Sequence, residues 1–390
     1  MKEKTINLPE LWMTKKLGDL CDIARGGSPR PIQQYLTNSP DGINWIKISD
    51  ASASSKYIYE TKEKIKPEGV TKSRLVQKDD FLLSNSMSFG RPYIMKTSGC
   101  IHDGWLVLKD KSGLFDQDYL YYFLNSQAAY KQFDNLAAGS TVRNLNTQLV
   151  KNVIIPIPPI EEQKRIVEIL DKAFEGIAQA EANTRRNLIN AQELFDSYLN
   201  NIFRERGDEW IDEKLGDISE NLDSERIPVT KSKRTSGKVP YYGASGIVDY
   251  VDDFIFDEEL LLVSEDGANL LARTYPIAFS ISGKAWVNNH AHVLKFNDIS
   301  LQRFIEYFLN SISLERYVSG MAQPKLNQKA LNSILIPIAP KEIREKVVNN
   351  LDSLKGNVNS LETIYQRKLE AIAELKQSIL EKAFTGQLSQ

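Results

Sequence analysis

Ile154-Ile155-Pro156-Ile157-Pro158-Pro159-Ile160-Glu161-Glu162-Gln163-Lys164-Arg165-Ile166-Val167 passes from a short apolar run, through a proline pair, into a charged and periodic segment. Prolines cannot extend a strand ladder but suit the first turn of a helix, where Glu161 and Glu162 also complement the positive dipole end. A helix therefore starts here. Further on, Leu170, Phe174, Ile177, Leu188, Ala191, Phe195, Tyr198 and Ile202 recur three or four residues apart, with Glu181 and Thr184 interrupting. That is a heptad pattern predicting a helix over 161–203, roughly 64 Å long at about 1.5 Å per residue.

The same passage returns later in the chain. Leu145-Asn146 and Ile155-Pro156-Ile157 reappear as Leu326-Asn327 and Ile336-Pro337-Ile338, an offset of 181 residues, and Leu170-Asp171 reappears as Leu351-Asp352. Upstream, Lys16-Leu17-Gly18-Asp19-Leu20 matches Lys214-Leu215-Gly216-Asp217-Ile218 at an offset of 198. Tyr122-Phe123-Leu124-Asn125-Ser126 matches Tyr307-Phe308-Leu309-Asn310-Ser311 at 185. An offset that shrinks and then stays fixed describes a duplicated protein. Its globular parts vary in length, whereas its helices keep register. Leu351, Leu354, Val358, Leu361, Tyr365, Ile372, Leu375 and Ile379 form the second seam, interrupted by Lys368. Neither seam can be buried by its own helix, so an intramolecular antiparallel pair is expected, with Gly207 and Gly386 as left-handed C-terminal caps.

The remaining segments are rich in Gly, Ser, Tyr and β-branched residues. Phe81-Leu82-Leu83, Trp105-Leu106-Val107-Leu108 and Leu260-Leu261-Leu262-Val263 predict buried strands, and Gln117–Ser126 and Leu301–Ser311 predict one amphipathic helix in each globular part. The fold class is α+β: two mainly-β globular domains separated by an antiparallel pair of long coiled-coil helices, with internal pseudo-twofold duplication. The expected divisions are 1–157, 158–207, 208–338 and 339–390.

The chain has 390 residues, two cysteines, 42% hydrophobic residues and a net charge of −2. The two cysteines argue against a disulfide framework and for a reducing compartment, and the expected location is cytoplasmic. No run approaches the roughly 20 apolar residues of a membrane span. A near-neutral balance opposes a uniformly basic nucleic-acid binder, so any contacts to phosphates must be locally concentrated.

Such concentrations exist in the loops. Arg25, Ser28 and Arg30 bracket Gly26-Gly27; Lys47 follows Trp45; Ser86, Ser88 and Arg91 punctuate Ser84-Asn85-Ser86-Met87-Ser88-Phe89-Gly90-Arg91; and Arg143 closes Gly139-Ser140-Thr141-Val142-Arg143. In the second part, Arg226, Lys233 and Arg234 precede Tyr242 and Ser245 in Tyr241-Tyr242-Gly243-Ala244-Ser245-Gly246, and Gln323 and Lys325 stand in the place of Arg143. Guanidinium and ammonium groups reach guanine edges and phosphates, amides pair with adenine, and glycine admits a duplex close to the backbone. These fifteen residues are the candidate DNA contacts. Each also fits an ordinary solvated loop, and a coiled-coil scaffold with protein- or glycan-binding end domains is the competing reading.

Catalytic and metal patterns are missing from the sequence. His102, His290 and His292 with two distant cysteines give no ligand spacing, and no phosphate loop or dinucleotide fingerprint occurs. Glu265-Asp266-Gly267 lacks the ligand spacing of a calcium loop and reads as a strand-ending turn, with a base contact to cytosine as the alternative.

The proline-to-Glu-Glu-Gln passage resembles the start of the central helix in specificity subunits of type I restriction–modification systems. Gly26-Gly27-Ser28-Pro29, Tyr241-Tyr242-Gly243-Ala244-Ser245-Gly246 and Ala383-Phe384-Thr385-Gly386-Gln387-Leu388 resemble that family as well; Ala339-Pro340-Lys341-Glu342 in the second copy departs from it. The resemblance implies two target recognition domains, each reading one half of a bipartite asymmetric site. It implies a helix pair that sets the gap and docks two methyltransferase subunits, with motor-nuclease subunits joining them. S-adenosylmethionine, ATP and Mg would be held by those partners, leaving this chain without cofactor, metal or catalytic residues. A detached specificity part of a fused restriction–methylation enzyme is the alternative within the same chemistry.

Overall fold

The computed structural model describes residues 8–52, 56–85, 89–137, 144–320 and 323–388. The chain divides into two compact units, Met1–Asn183 with Arg367–Gln390, and Thr184–Gln366. Two long helices, Ile160–Arg204 and Lys341–Phe384, run through both units. Among the described residues no helix is long and apolar enough to cross a membrane.

In the first unit, Cys21–Arg25, Trp105–Asp110, Phe81–Ser84, Pro92–Met95 and Tyr57–Ile58 lie side by side in one five-stranded sheet. A second sheet orders Leu36–Thr37, Glu63–Ile65, Ile43–Ile46, Gly99–Ile101 and Arg74–Val76. The continuous apolar runs Phe81-Leu82-Leu83 and Trp105-Leu106-Val107-Leu108 are buried on both faces, which is why they show no alternation. A ribbon pairs Met13–Lys16 antiparallel with Ile154–Ile157 and delivers the chain to the long helix. The sheet core, helix Gln117–Leu124, and the helical residues Ile166, Leu170, Leu380, Ala383 and Phe384 form one apolar cluster.

The second unit repeats this plan with shorter sheets. Glu220–Asn221, Ala291–Lys295, Leu260–Ser264 and Ala278–Ile281 form one sheet; Gly246–Val251, Ser236–Gly243, Lys284–Val287 and Phe256–Asp257 form the other. Its ribbon pairs Ile211–Lys214 with Leu335–Ile338.

The repeated Lys-Leu-Gly-Asp turn now has a physical cause. Leu17 N–H donates to Val153 O at 2.8 Å, and Leu215 N–H to Ile334 O at 2.9 Å. The glycine that follows lies against a short helix: a Cβ on Gly18 would sit 2.8 Å from Lys151 Cβ, and one on Gly216 2.7 Å from Asn332 Cβ.

The repeat also extends to how each long helix is fastened. Gln163, fully buried, accepts from Asp116 N–H at 2.7 Å and donates to Leu114 O and Pro158 O, both at 2.8 Å. Asp116 is the N-cap of Gln117–Leu124. At the matching place Arg344 donates to Ala339 O at 3.3 Å and to the Asp298 carboxylate at 2.5 Å, and Asp298 caps Ile299–Ser311.

Within each unit the long-helix segments run antiparallel. In the first, Arg165 donates to Leu388 O and the Lys376 ammonium lies 5.3 Å from the Phe174 ring centre. In the second, Gln192 donates to Glu362 at 2.9 Å, and Phe195 and Leu199 pack with Leu351 and Val358. The seam differs in detail from the expected one. Thr184 is buried within it rather than interrupting it, Leu199 replaces Tyr198, and Tyr198, Leu361 and Leu375 are exposed. A local four-residue step after Phe195 rotates Tyr198 outward. Gly386 adopts the expected left-handed conformation at φ 78°, whereas Gly207 does not and instead accepts from Trp210 N–H in a turn.

Candidate nucleic-acid interface

In the first unit the loop after strand Cys21–Arg25 crosses the loop before Trp105–Asp110. Gly26 permits the crossing, since a Cβ there would fall 2.1 Å from His102 O. The crossing brings Arg25, Ser28 and Arg30 to one acceptor, Asp103. Arg25 Nε donates to Asp103 O at 3.0 Å, Ser28 Oγ to the carboxylate at 2.5 Å, and Arg30 lies 3.6 Å from its second oxygen. The Ser28 hydroxyl holds the Asp103 carboxyl below the usual carboxylate range, against a smaller opposing effect of burial.

Ser28, Arg30 and Asp103 line an open cleft of about 810 Å³ with Trp45, Lys47, Glu63 and His102. Lys47 is paired with Glu63 at 2.5 Å. His102 accepts Gly104 N–H on Nδ1 at 2.6 Å, leaving its ring proton on the Nε2 that faces Ile48 N at 3.2 Å, and burial depresses its pKa, so the ring is a neutral brace. Arg91 is exposed, its guanidinium 5.3 Å from the Tyr93 ring centre. Ser86, Ser88 and Arg143 lie outside the described residues.

The second unit reproduces the backbone frame with different side chains. Asn85 N–H donates to Gly104 O and Leu145 N–H to Asn85 O; likewise Glu265 N–H donates to His290 O and Leu326 N–H to Glu265 O. Asn85 is neutral and donates to Asp103 O at 2.8 Å. Glu265 stands at its place inside an ionic network. Its carboxylate accepts from Arg226 at 2.7 Å and pairs with Lys325 at 3.1 Å. Arg226 also lies 3.5 Å from Asp223 and donates to Ala291 O. His292, buried, bridges Asp223 at 2.6 Å and Leu326 O at 2.7 Å. Burial is the largest single effect and pushes the Asp223 and Glu265 carboxyls up, but the hydrogen bonds from His292 and Arg226, respectively, together with the neighbouring positive charges, hold both below the usual range.

Four candidates therefore gather at this end of the unit. Arg226 sits in the network, Lys325 on its rim, Ser245 is exposed in the turn whose Ala244 carbonyl is bonded by Ser264, and Tyr242 accepts Asn288 N–H. Gln323 is exposed on the same loop as Lys325. Arg234 is engaged elsewhere: it donates to Val229 O and Asp249 and stacks 4.1 Å over Tyr241, while Lys233 beside it is exposed. Arg226 and Arg234 thus brace loops, because each guanidinium is already engaged by a carboxylate and a backbone carbonyl. Sequence reasoning missed Asp103 and Asp223 in this arrangement and read Glu265 first as a turn residue, since the pairing of each depends on a loop crossing that one linear segment cannot show. Glu265-Asp266-Gly267 is a strand-ending turn, with Gly267 at φ 107°.

Asp223, Glu265 and His292 also place ligand-type atoms within 4.8 Å of one another. The Arg226 guanidinium already lies against both carboxylates, so a cation would have to displace it.

A family model described as type I restriction modification DNA specificity domain matches residues 9–191 and again 207–371. A putative type I restriction enzyme specificity subunit of Haemophilus influenzae is 35% identical over 146 residues, 37% of each chain. The MjaIX specificity subunit of Methanocaldococcus jannaschii is 22% identical across 98% of this chain and 94% of its own. Among solved structures, a chain from work on complex assembly and conformational transition of the type I R-M system shares the fold with a TM-score of 0.79, covering 97% of this chain and 98% of that one at 17% identity. The HsdS subunit from Thermoanaerobacter tengcongensis matches with a TM-score of 0.60 at 18% identity over 99% and 100% of the two chains. With two copies of the specificity domain spanning most of its length, this chain belongs to the type I restriction–modification DNA specificity family.

Proposed function

We propose that the chain is the non-catalytic, sequence-reading subunit of a type I restriction–modification complex working in the cytoplasm. Residues 1–157 and 208–338 each read one part of a bipartite, asymmetric duplex site. Residues 158–207 and 339–390 set the unread gap and dock two methyltransferase subunits, which motor-nuclease subunits join. S-adenosylmethionine, ATP and Mg belong to those partners. The observation carrying this reading is the conserved backbone frame at Asn85 and Glu265 furnished with different side chains, as two readers of unlike sequences require. Leu194 and Leu375, one repeat apart, are 62% and 50% exposed on the long helices and offer apolar surface to such partners.

The contacts assigned to DNA are Arg25, Ser28, Arg30, Lys47 and Arg91 in the first reader, with Ser86, Ser88 and Arg143 on its adjoining loops. In the second they are Lys233, Tyr242, Ser245, Gln323 and Lys325, with Arg226 and Arg234 holding the loops beneath. Lys and Arg neutralise phosphates and reach guanine, and hydroxyl and amide groups complete the readout. The test is to express the chain with its methyltransferase and map methylated adenines. A gapped motif with two constant parts supports the reading; methylation without a motif, or no complex, overturns it.

A further inference from the structure

We infer that Glu265 is a positioning residue for the second half-site, aiming the Lys325 ammonium at one base pair. This rests on the reading proposed above and goes beyond it by naming what orients a contact.

Glu265 replaces a neutral residue of the first reader at a position where the fold does not require charge. Asn85 occupies the same frame, nearly fully buried, and is satisfied by a backbone carbonyl. A carboxylate this little exposed is costly unless paired on several sides, and replacing such an ionic cluster whole by apolar groups often leaves a fold intact or stabler. Its use here therefore calls for a task other than holding the fold.

The geometry supplies one. The Glu265 and Arg226 side chains are each 12% exposed, whereas that of Lys325 is 53% exposed. One carboxylate oxygen is fastened from below by Arg226 and the other faces Lys325 at 3.1 Å, so the ammonium is fixed against a rigid base rather than a mobile one. The loop itself is held without this carboxylate. Leu326 N–H bonds to Glu265 O at 2.8 Å, Gly267 N–H to Pro324 O at 3.0 Å, and the His292 ring to Leu326 O at 2.7 Å. Removing the Glu265 charge leaves those bonds in place and frees the Lys325 head group. A flexible, point-like ammonium discriminates poorly unless something restricts it. Lys bound to guanine O6 and N7 is the base contact this chemistry favours.

The experiment maps methylated adenines for the full complex carrying Glu265→Gln, Lys325→Met, or both. Discrimination at one position of the second constant part should fall about tenfold in each single variant. The double variant should match Lys325→Met, because both changes act on one contact, and the first constant part should be unaltered. Glu265→Asp, which keeps the charge, should restore part of the discrimination. An unchanged motif in Lys325→Met, an exposed position where misfolding is no issue, overturns the inference, as does additive loss in the double variant or loss in both constant parts. If the unaltered complex yields no two-part motif, the parent reading fails instead.

Discussion

The Tyr307 hydroxyl donates to the Asp352 carboxylate at 2.5 Å, and Tyr122 makes the same bond to Asp171 in the other unit. Each bond ties the globular helix of its unit to a long helix at equivalent positions of the repeat. A hydrogen bond to a carboxylate contributes about 1 kcal/mol when the acceptor is half exposed. Tyr307→Phe and Tyr122→Phe should each lower the melting temperature by about 2–4 °C, read by thermal denaturation. No change in either would show the bond to be solvent-equivalent.

The two glycines of the repeated turn give a stricter test. Gly18→Ala and Gly216→Ala push a methyl group into Lys151 and Asn332, respectively, at separations no Cβ tolerates. Each should cost about 1–3 kcal/mol, seen as a lower urea midpoint at unchanged slope. Gly176→Ala, where a Cβ would meet nothing within 4 Å, is the control and should be neutral or stabilising.

The buried ionic network predicts acid sensitivity. Asp223 and Glu265 have folded pKa values below their unfolded ones. Their stabilising contribution is complete above about pH 5 and declines as pH falls through the unfolded value near 4 toward the folded ones. Urea midpoints measured from pH 7 to pH 3 should fall for the natural chain and fall less steeply for Glu265→Gln. Arg226→Met, which removes the cation shared by two partly buried carboxylates and leaves them only His292 and Lys325, should cost up to about 3 kcal/mol at pH 7.

Cys21 is buried, and burial first of all, with Asp110 adding to it, pushes its thiol up to about 12. At pH 8 it should resist iodoacetamide in the folded protein and react at once in urea, since the thiolate is the nucleophile. Mass spectrometry of the labelled peptide decides this; rapid labelling without urea would contradict the burial.

The helices, the duplication and the buried strands were legible because they depend on local period and on spacing between copies. Long apolar runs such as Leu260-Leu261-Leu262-Val263 have few other uses. The site was legible in part. Arg25, Ser28 and Arg30 share one loop and do converge, but they converge on Asp103, some 75 residues away, and nothing in a linear reading marks that carboxylate. Arg226 and Arg234 looked like contacts because a cation beside glycines suggests a ligand. Their partners Glu265, just past a strand end, and Asp249, within a strand, come from other segments, and pairing there turns a candidate contact into a brace. The seam failed at Tyr198 for a smaller reason: a heptad tolerates a three- or four-residue step, and only packing chooses between Tyr198 and Leu199.

The fastening of the long helices carries a consequence for exchange between copies. Gln163 meets a backbone amide of the Asp116 cap, whereas Arg344 meets the Asp298 carboxylate itself. A crossover that joined residues 1–157 to the second long helix would set Arg344 beside the Leu114 carbonyl and the Asp116 amide, a place shaped for the Gln163 amide. The reciprocal hybrid would leave Asp298 without its cation. Recombination is therefore silent only when its breakpoints carry cap and clasp together, so the inheritable cassette of this protein ends inside the helix, past residue 163 or 344, rather than at the proline junction before it.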